Sequence, residues 1–228
     1  MLPGFKGYDV LTYMENYIVF GDSHARCFTD KIKTYSFSAS SAKGLNNVNS
    51  LSKTNLEIKT IIEANKDKNF IFFFGKVDLD FILNHMYNTR ADFNPREYIK
   101  NNVNNYVTFI KELYIKNVSI CEIPIPHLND TQMLEIINIP QHHFNLNNYL
   151  DEKYKPLRYS KVLSFRDRLN LTRYFNSLVK EECGILNYNF LEINSKFGDK
   201  VPSKYIKPGK MDHHLDDSIS FLYLEWLI

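Results

Sequence analysis

The apolar residues of this chain fall into short unbroken runs, separated by longer stretches with helical spacing. Tyr17-Ile18-Val19-Phe20 is one such run, and it leads straight into Gly21-Asp22-Ser23-His24. Asn69 to Phe74 (Asn-Phe-Ile-Phe-Phe-Phe) is the strongest, and it breaks at Gly75. Runs without alternation predict strands buried on both faces, as in a parallel sheet. Thr34 to Ser38 alternates and predicts a second strand. Val118 to Ile125, closed by Pro124 and Pro126, predicts a fourth, and Asn187 to Ile193 a fifth.

The stretches between these runs read as helices. Leu51 to Asn65 carries Leu56, Ile58, Ile61 and Ile62 at helical spacing. Pro95 to Asn117 starts on a proline suited to a first turn and presents a stripe from Tyr98 to Tyr114. Ser160 to Cys183 predicts a helix ended by Gly184, and Ser218 to Ile228 a helical C-terminal end. Residues 129–159 are polar and irregular, with one short helix. Residues 1–16 read as a lead-in, and no element is assigned between 79 and 94. Five strands alternating with helices predict an α/β fold: a three-layer α/β/α sandwich on a five-stranded parallel, flavodoxin-like sheet.

Composition narrows the class. A length of 228 residues fits one domain over 1–228, with an irregular insertion at 129–159. The net charge of +2, with acids and bases mixed along the chain, is no nucleic-acid footprint. Cys27, Cys121 and Cys183 are widely spaced, which argues for free thiols in a reducing compartment. No signal peptide and no membrane-spanning run is evident, so a cytoplasmic protein without nucleic-acid or membrane partners is expected. Oligomeric state is not legible.

The chemistry gathers at the ends of the strands. Gly21 permits a sharp exit from the first strand and places Ser23 just past its carboxyl end, where open α/β sheets hold their ligands. Gly, Asp and Ser are also ordinary turn residues, and a serine there can be a nucleophile if a histidine elsewhere in the chain reaches it. Ser41-Ala42-Lys43-Gly44-Leu45 follows the second strand and Gly75-Lys76-Val77-Asp78 the third. Asp212-His213-His214-Leu215 lies near the C-terminus. His142 and His143 are adjacent, with His127 upstream. No HxH or HExxH spacing occurs, so no metal and no cofactor is expected. Arg166, Asp167, Arg168 and Arg173 read as a solvated helix face, and Cys27 as a buried thiol.

From Tyr17 onward these four blocks resemble the SGNH (GDSL-like) hydrolase superfamily. The resemblance is to the branch with a Gly-Asp-Ser-His first block and a Gly-x-Val-Asp third block, found beside polysaccharide and glycosylation enzymes. It implies Ser23 as nucleophile, His214 as base with His213 as the alternative, and the N–H groups of Ser23 and Gly44 as oxyanion donors. Asp22, His24, Gly75 and Asp78 are further site candidates. Two departures stand out. Val77 occupies the place of an asparagine that donates to the oxyanion. The acid expected three residues before the histidine is Met211, so Asp212, or a backbone carbonyl in its place, must orient the imidazole.

The implied function is a serine esterase acting on acyl esters, O-acetyl groups of a carbohydrate foremost, with a small-molecule or glycan ester as substrate. An O-acyltransferase of the same fold and a catalytically degenerate binding or scaffold module are the alternatives.

Overall fold

The computed structural model describes residues 14–38, 40–47, 49–50, 52–139, 158–209 and 211–227. The N-terminal lead-in, His142, His143 and most of the expected insertion lie outside the described residues. Five strands form one sheet: β1 (Tyr17–Gly21), β2 (Lys33–Ser36), β3 (Asn69–Phe73), β4 (Val118–Cys121) and β5 (Asn189–Leu191). Their order is β2-β1-β3-β4-β5, and every pairing is parallel. The strand order reverses direction between β1 and β3, which makes the carboxyl ends of these two strands the natural crevice of the sheet.

Helices cover both faces: α1 (Thr54–Glu63), α2 (Leu83–Thr89), α3 (Pro95–Lys111), α4 (Asp130–Ile137), α5 (Phe165–Leu186) and α6 (Ser220–Leu224). Successive side chains of an extended chain point to opposite faces, and the end of β3 shows this directly. Phe73 meets Phe28 and Tyr223, while Phe74 meets Tyr106 of α3. This is the three-layer α/β/α architecture that the five expected strands predict, with β1 buried along its whole length and β3 from Phe70 onward. A smaller cluster around Phe81, Leu128, Met133 and Ile136 packs separately.

Several elements depart from the sequence reading. The strand expected to reach Ile125 ends at Cys121, because side-chain amides replace the ladder beyond it. Asn176 accepts from Ile123 N–H at 2.9 Å and donates to its carbonyl at 2.8 Å, and Asn194 accepts from Ile125 N–H at 3.0 Å. Gly184 does not end α5. The helix runs on to Leu186 and stops at Asn187, whose left-handed backbone (φ 57°) turns its N–H back to the Cys183 carbonyl. Pro95 does open α3, with Asn94 capping the first turn, but the helix ends at Lys111 rather than running to Asn117.

α2 was not expected at all. It is entered through a wide turn at Asp78–Ile82 with i→i+5 hydrogen bonding. Arg168 is not on a solvated face. It is 3% exposed, and its guanidinium donates to the carbonyls of Leu163 and Leu128 and to Asp130. It thereby ties α5 to the start of α4. Arg173 does lie at the surface, paired with Asp199.

Candidate active site

The first strand positions Ser23 through two constraints. Gly21 lies so close to its neighbours that an added Cβ would fall 2.5 Å from Ala25 Cβ and 2.6 Å from the Phe73 carbonyl oxygen. No larger residue fits there without moving β1 from β3. Asp22 is fully buried and caps the turn Ser23–Phe28. Its Oδ1 accepts the backbone N–H of His24 at 2.9 Å and His24 Nδ1 at 2.8 Å, and its Oδ2 accepts Val77 N–H at 3.4 Å. The first block is thus fastened to the third through one carboxylate.

The last block arrives from the other end of the chain. Ile206 and Leu215 form an antiparallel bridge, and Asp216 N–H donates to the Tyr205 carbonyl at 2.8 Å. This sets the segment 212–214 against Ser23. His214 Nε2 lies 2.8 Å from Ser23 Oγ, although 191 positions separate them in sequence. His214 Nδ1 lies 2.8 Å from Asp212 Oδ1. An ionised carboxylate only accepts, so Nδ1 carries the proton and Nε2 accepts from the serine hydroxyl. The arrangement is a serine, histidine and aspartate in line.

Asp212 reaches the imidazole despite its short spacing because of a local fold. The same Oδ1 also accepts the backbone N–H of His214, at 2.9 Å. That second bond curls the segment so that one oxygen meets both donors of the residue two positions on. Asp22 and His24 repeat the geometry almost to the tenth of an ångström.

The electrostatics suit a base. Burial, assisted by neighbouring His24, pushes the pKa of His214 down from 6.5 to about 4 against the opposing pull of Asp212. The imidazole is therefore neutral at pH 7. Burial works to raise the Asp212 pKa, but hydrogen bonds from the His214 N–H and ring outweigh it and hold the carboxyl below its ordinary value. His127 donates from Nε2 to the Asp212 carbonyl at 2.9 Å, and burial with Lys76 nearby brings its own pKa down to about 4.

A cleft of about 160 Å³ opens beside these groups, bordered by Ser23, His214, Asp212, Lys76, Arg26 and Lys207. Lys76 is almost wholly buried, its ammonium 3.2 Å from Asp80 Oδ1 and 3.4 Å from the Pro124 carbonyl. Cys27 also borders the cleft, with its pKa raised by burial and Asp217. It is a protonated thiol.

The remaining candidates take other positions. His213 is buried with its ring edge-on to Phe81, and its Nδ1 is 3.6 Å from Asp212 Oδ1, while the hydrogen bond to Ser23 comes from His214. Gly44 does not border the cleft. Its N–H is bonded within its own turn, to the Ser41 carbonyl and Oγ at 3.0 Å each. Asp78 is buried away from the cleft and accepts from Ala42 N–H (2.6 Å), Lys43 N–H (3.4 Å) and Asn102 (3.1 Å). Burial raises its pKa to about 7. It clamps the second block to α3. Gly75 turns the chain at φ +130°, with Phe175 where a side chain would go.

Sequence reasoning missed Lys76 and His127 as neighbours of the site. A lysine just past the glycine that ends an apolar run was the available signal for the first. Nothing in Pro124-Ile125-Pro126-His127 pointed to Asp212. Nitrogens of His24, His213 and His214 also gather within 4.8 Å of one another, a grouping able to hold a metal ion.

No family model and no curated protein sequence matches the chain. Among solved structures, it is similar to a GDSL-like lipase from Bacteroides thetaiotaomicron, with 11% identity, 95% of this chain and 88% of the other covered, and a TM-score of 0.52. A carbohydrate acetylesterase from Sinorhizobium meliloti aligns with 11% identity, 91% and 93% coverage, and a TM-score of 0.48. The first of these likenesses, with the β2-β1-β3-β4-β5 parallel sheet, gives the chain the fold of the SGNH (GDSL-like) hydrolases.

Proposed function

We propose that the protein is a serine hydrolase of acyl esters, with Ser23 as nucleophile, His214 as general base and Asp212 as the group that orients it. The observation that carries this reading is the line from Ser23 Oγ through the His214 ring to Asp212 Oδ1, with both contacts at 2.8 Å. Ser23 Oγ attacks the ester carbonyl as His214 Nε2 takes its proton, and Asp212 stabilises the imidazolium that forms. His214 then passes the proton to the leaving alcohol. Water, deprotonated by the same imidazole, releases the acyl group.

The developing oxyanion is received by the Ser23 N–H, with the positive charge of Lys76 at the cleft wall. Gly44 joins only if its turn opens, because its N–H is bonded to Ser41. Val77 offers no side-chain donor. The loss of a single oxyanion donor costs about two to three orders of magnitude in rate, so a slow enzyme is expected. No step needs a cofactor.

A carbohydrate as the alcohol part follows from the resemblance of the Gly-Asp-Ser-His and Gly-x-Val-Asp blocks. An acetyl as the acyl part follows from the same resemblance, with the cleft of about 160 Å³ beside Ser23 as the space that receives it. The test is hydrolysis of p-nitrophenyl acetate and of peracetylated sugars by the wild type, Ser23→Ala, His214→Ala and His213→Ala. The reading requires loss with the first two variants and survival with the third. A wild type no faster than Ser23→Ala on every ester, and silent in acetyl transfer from a donor to a sugar, would leave the scaffold alternative in its place.

A further inference from the structure

The geometry points to a transition-metal site formed by His24, His213 and His214, at which a Zn²⁺-class cation blocks the nucleophile. One nitrogen from each of the three residues lies within 4.8 Å of the other two. The rings are close but not parallel: His213 and His214 are tilted with centroids 3.8 Å apart, His24 and His214 are tilted at 4.5 Å, and His24 and His213 meet edge-on at 5.3 Å. Tetrahedral zinc with Zn–N bonds of about 2.0–2.1 Å wants its ligand nitrogens roughly 3.4 Å apart. The nitrogens would have to draw together by up to about 1.4 Å to close the site around an ion.

Two observations beyond proximity favour a cation. First, His24 is 8% exposed and its Nε2 is buried with no hydrogen-bond partner among the described residues. Its Nδ1–H is held by Asp22, so Nε2 carries a lone pair with no protein donor in reach among the described residues. An orphaned buried acceptor is costly, and a metal ion would satisfy it. Second, His24 and His214 each donate Nδ1–H to a carboxylate, in matching Asp-x-His geometry. Carboxylate-backed imidazoles are the usual second shell of metal-binding histidines, because the carboxylate fixes the tautomer and raises ligand basicity. Asp22 and Asp212 also supply two negative charges against a dication. Lys76, a buried cation that borders the same cleft, is paired with Asp80.

The metal would take His214 through Nε2, the nitrogen that now accepts from Ser23. Metal occupancy and a Ser23–His214 hydrogen bond are then mutually exclusive, and the fourth position falls to water or to Ser23 Oγ. Binding itself is independent of the proposed hydrolase activity. The consequence for Ser23 reactivity rests on that reading.

The experiment separates the two. Calorimetric titration of the full chain with ZnCl₂, and Co²⁺ titration followed by visible absorption, measure binding without any substrate. One equivalent is expected, with a Co²⁺ band of four- or five-coordinate intensity. His24→Ala, His24→Gln and His213→Ala, each confirmed folded by its melting curve, should weaken it at least tenfold. Ser23→Ala should leave it intact, and a His142→Ala/His143→Ala double variant should not reduce it. Absence of stoichiometric binding at 100 µM-order metal, indifference to both His24 substitutions, or loss in the 142/143 variant instead would each overturn the site. In a second arm, Zn²⁺ should slow labelling of Ser23 by an organophosphonate in the wild type, with EDTA restoring it. Binding without such slowing would contradict the blocking role while leaving the site. A Ser23 that never labels at all counts against the hydrolase reading alone.

Discussion

The Oδ1 atom of Asp212 accepts both the backbone N–H and the Nδ1–H of His214, at 2.9 and 2.8 Å, from only two residues away. The acid and the base of the proposed triad are thus a single local unit. Its rigidity comes from one backbone hydrogen bond. Asp212→Asn can keep the backbone bond through its carbonyl oxygen, but it no longer stabilises the imidazolium. We expect kcat/KM for an acetyl ester to fall by about two to four orders of magnitude with KM little changed. A change of less than threefold would show that Asp212 does not orient the base.

The acid limb of the pH profile follows from His214. Its folded pKa lies near 4 because burial and the neighbouring His24 disfavour the imidazolium. Nε2 accepts the serine proton only when the ring is neutral, so kcat/KM should hold from neutral pH down to about 5 and be half lost near pH 4. The measurement is kcat/KM across pH 3.5–9 on an ester whose own hydrolysis is subtracted. A limb at 6.5, the ordinary histidine value, would mean that the ring is solvated.

Asp78 makes a prediction on stability rather than rate. Its carboxyl is raised from 3.8 to about 7 by burial, against three N–H donors that favour the ion. A raised folded pKa gives stability that is full below the unfolded value and is lost as pH rises through the folded one. The wild type should therefore lose melting temperature between about pH 4 and 7 relative to Asp78→Asn, which has nothing to ionise. A difference between the two proteins that grows by at least ~2 °C across that window supports the assignment. A constant difference contradicts it.

Much of this was legible beforehand, for identifiable reasons. Strands buried on both faces carry unbroken apolar runs, so β1 and β3 announce themselves. Ser23 and His214 could be paired from motif resemblance. The reach of Asp212 could not, because it depends on a backbone N–H that no residue-spacing rule contains. α2 escaped because the wide turn at Asp78–Ile82 adds a residue to the helical repeat and breaks the 3.6-residue pattern. Gly184 misled because a glycine inside a long helix is tolerated at about 1 kcal/mol, and the positive φ of Asn187 supplied the stop instead. Arg168 looked like surface charge, yet it is buried because carbonyls of Leu163 and Leu128 and the carboxylate of Asp130 surround its guanidinium.

We expect His127 to act as a positioning residue. Its Nε2–H holds the carbonyl of Asp212 at 2.9 Å and so fixes where the acid begins. His127→Phe should lower kcat about tenfold with KM nearly constant, and His127→Gln, which keeps a donor, should recover part of the loss. A fall in melting temperature with kcat intact in both variants would assign it to packing alone.

The central claim is that Ser23 is an activated nucleophile. Covalent labelling by a fluorophosphonate, followed by intact mass and peptide mapping, tests it without any assumption about substrate. The account predicts a single adduct on Ser23 in the metal-free wild type, abolished by Ser23→Ala and slowed by at least about a hundredfold in His214→Ala. No adduct, or an adduct that forms equally fast without His214, would contradict it.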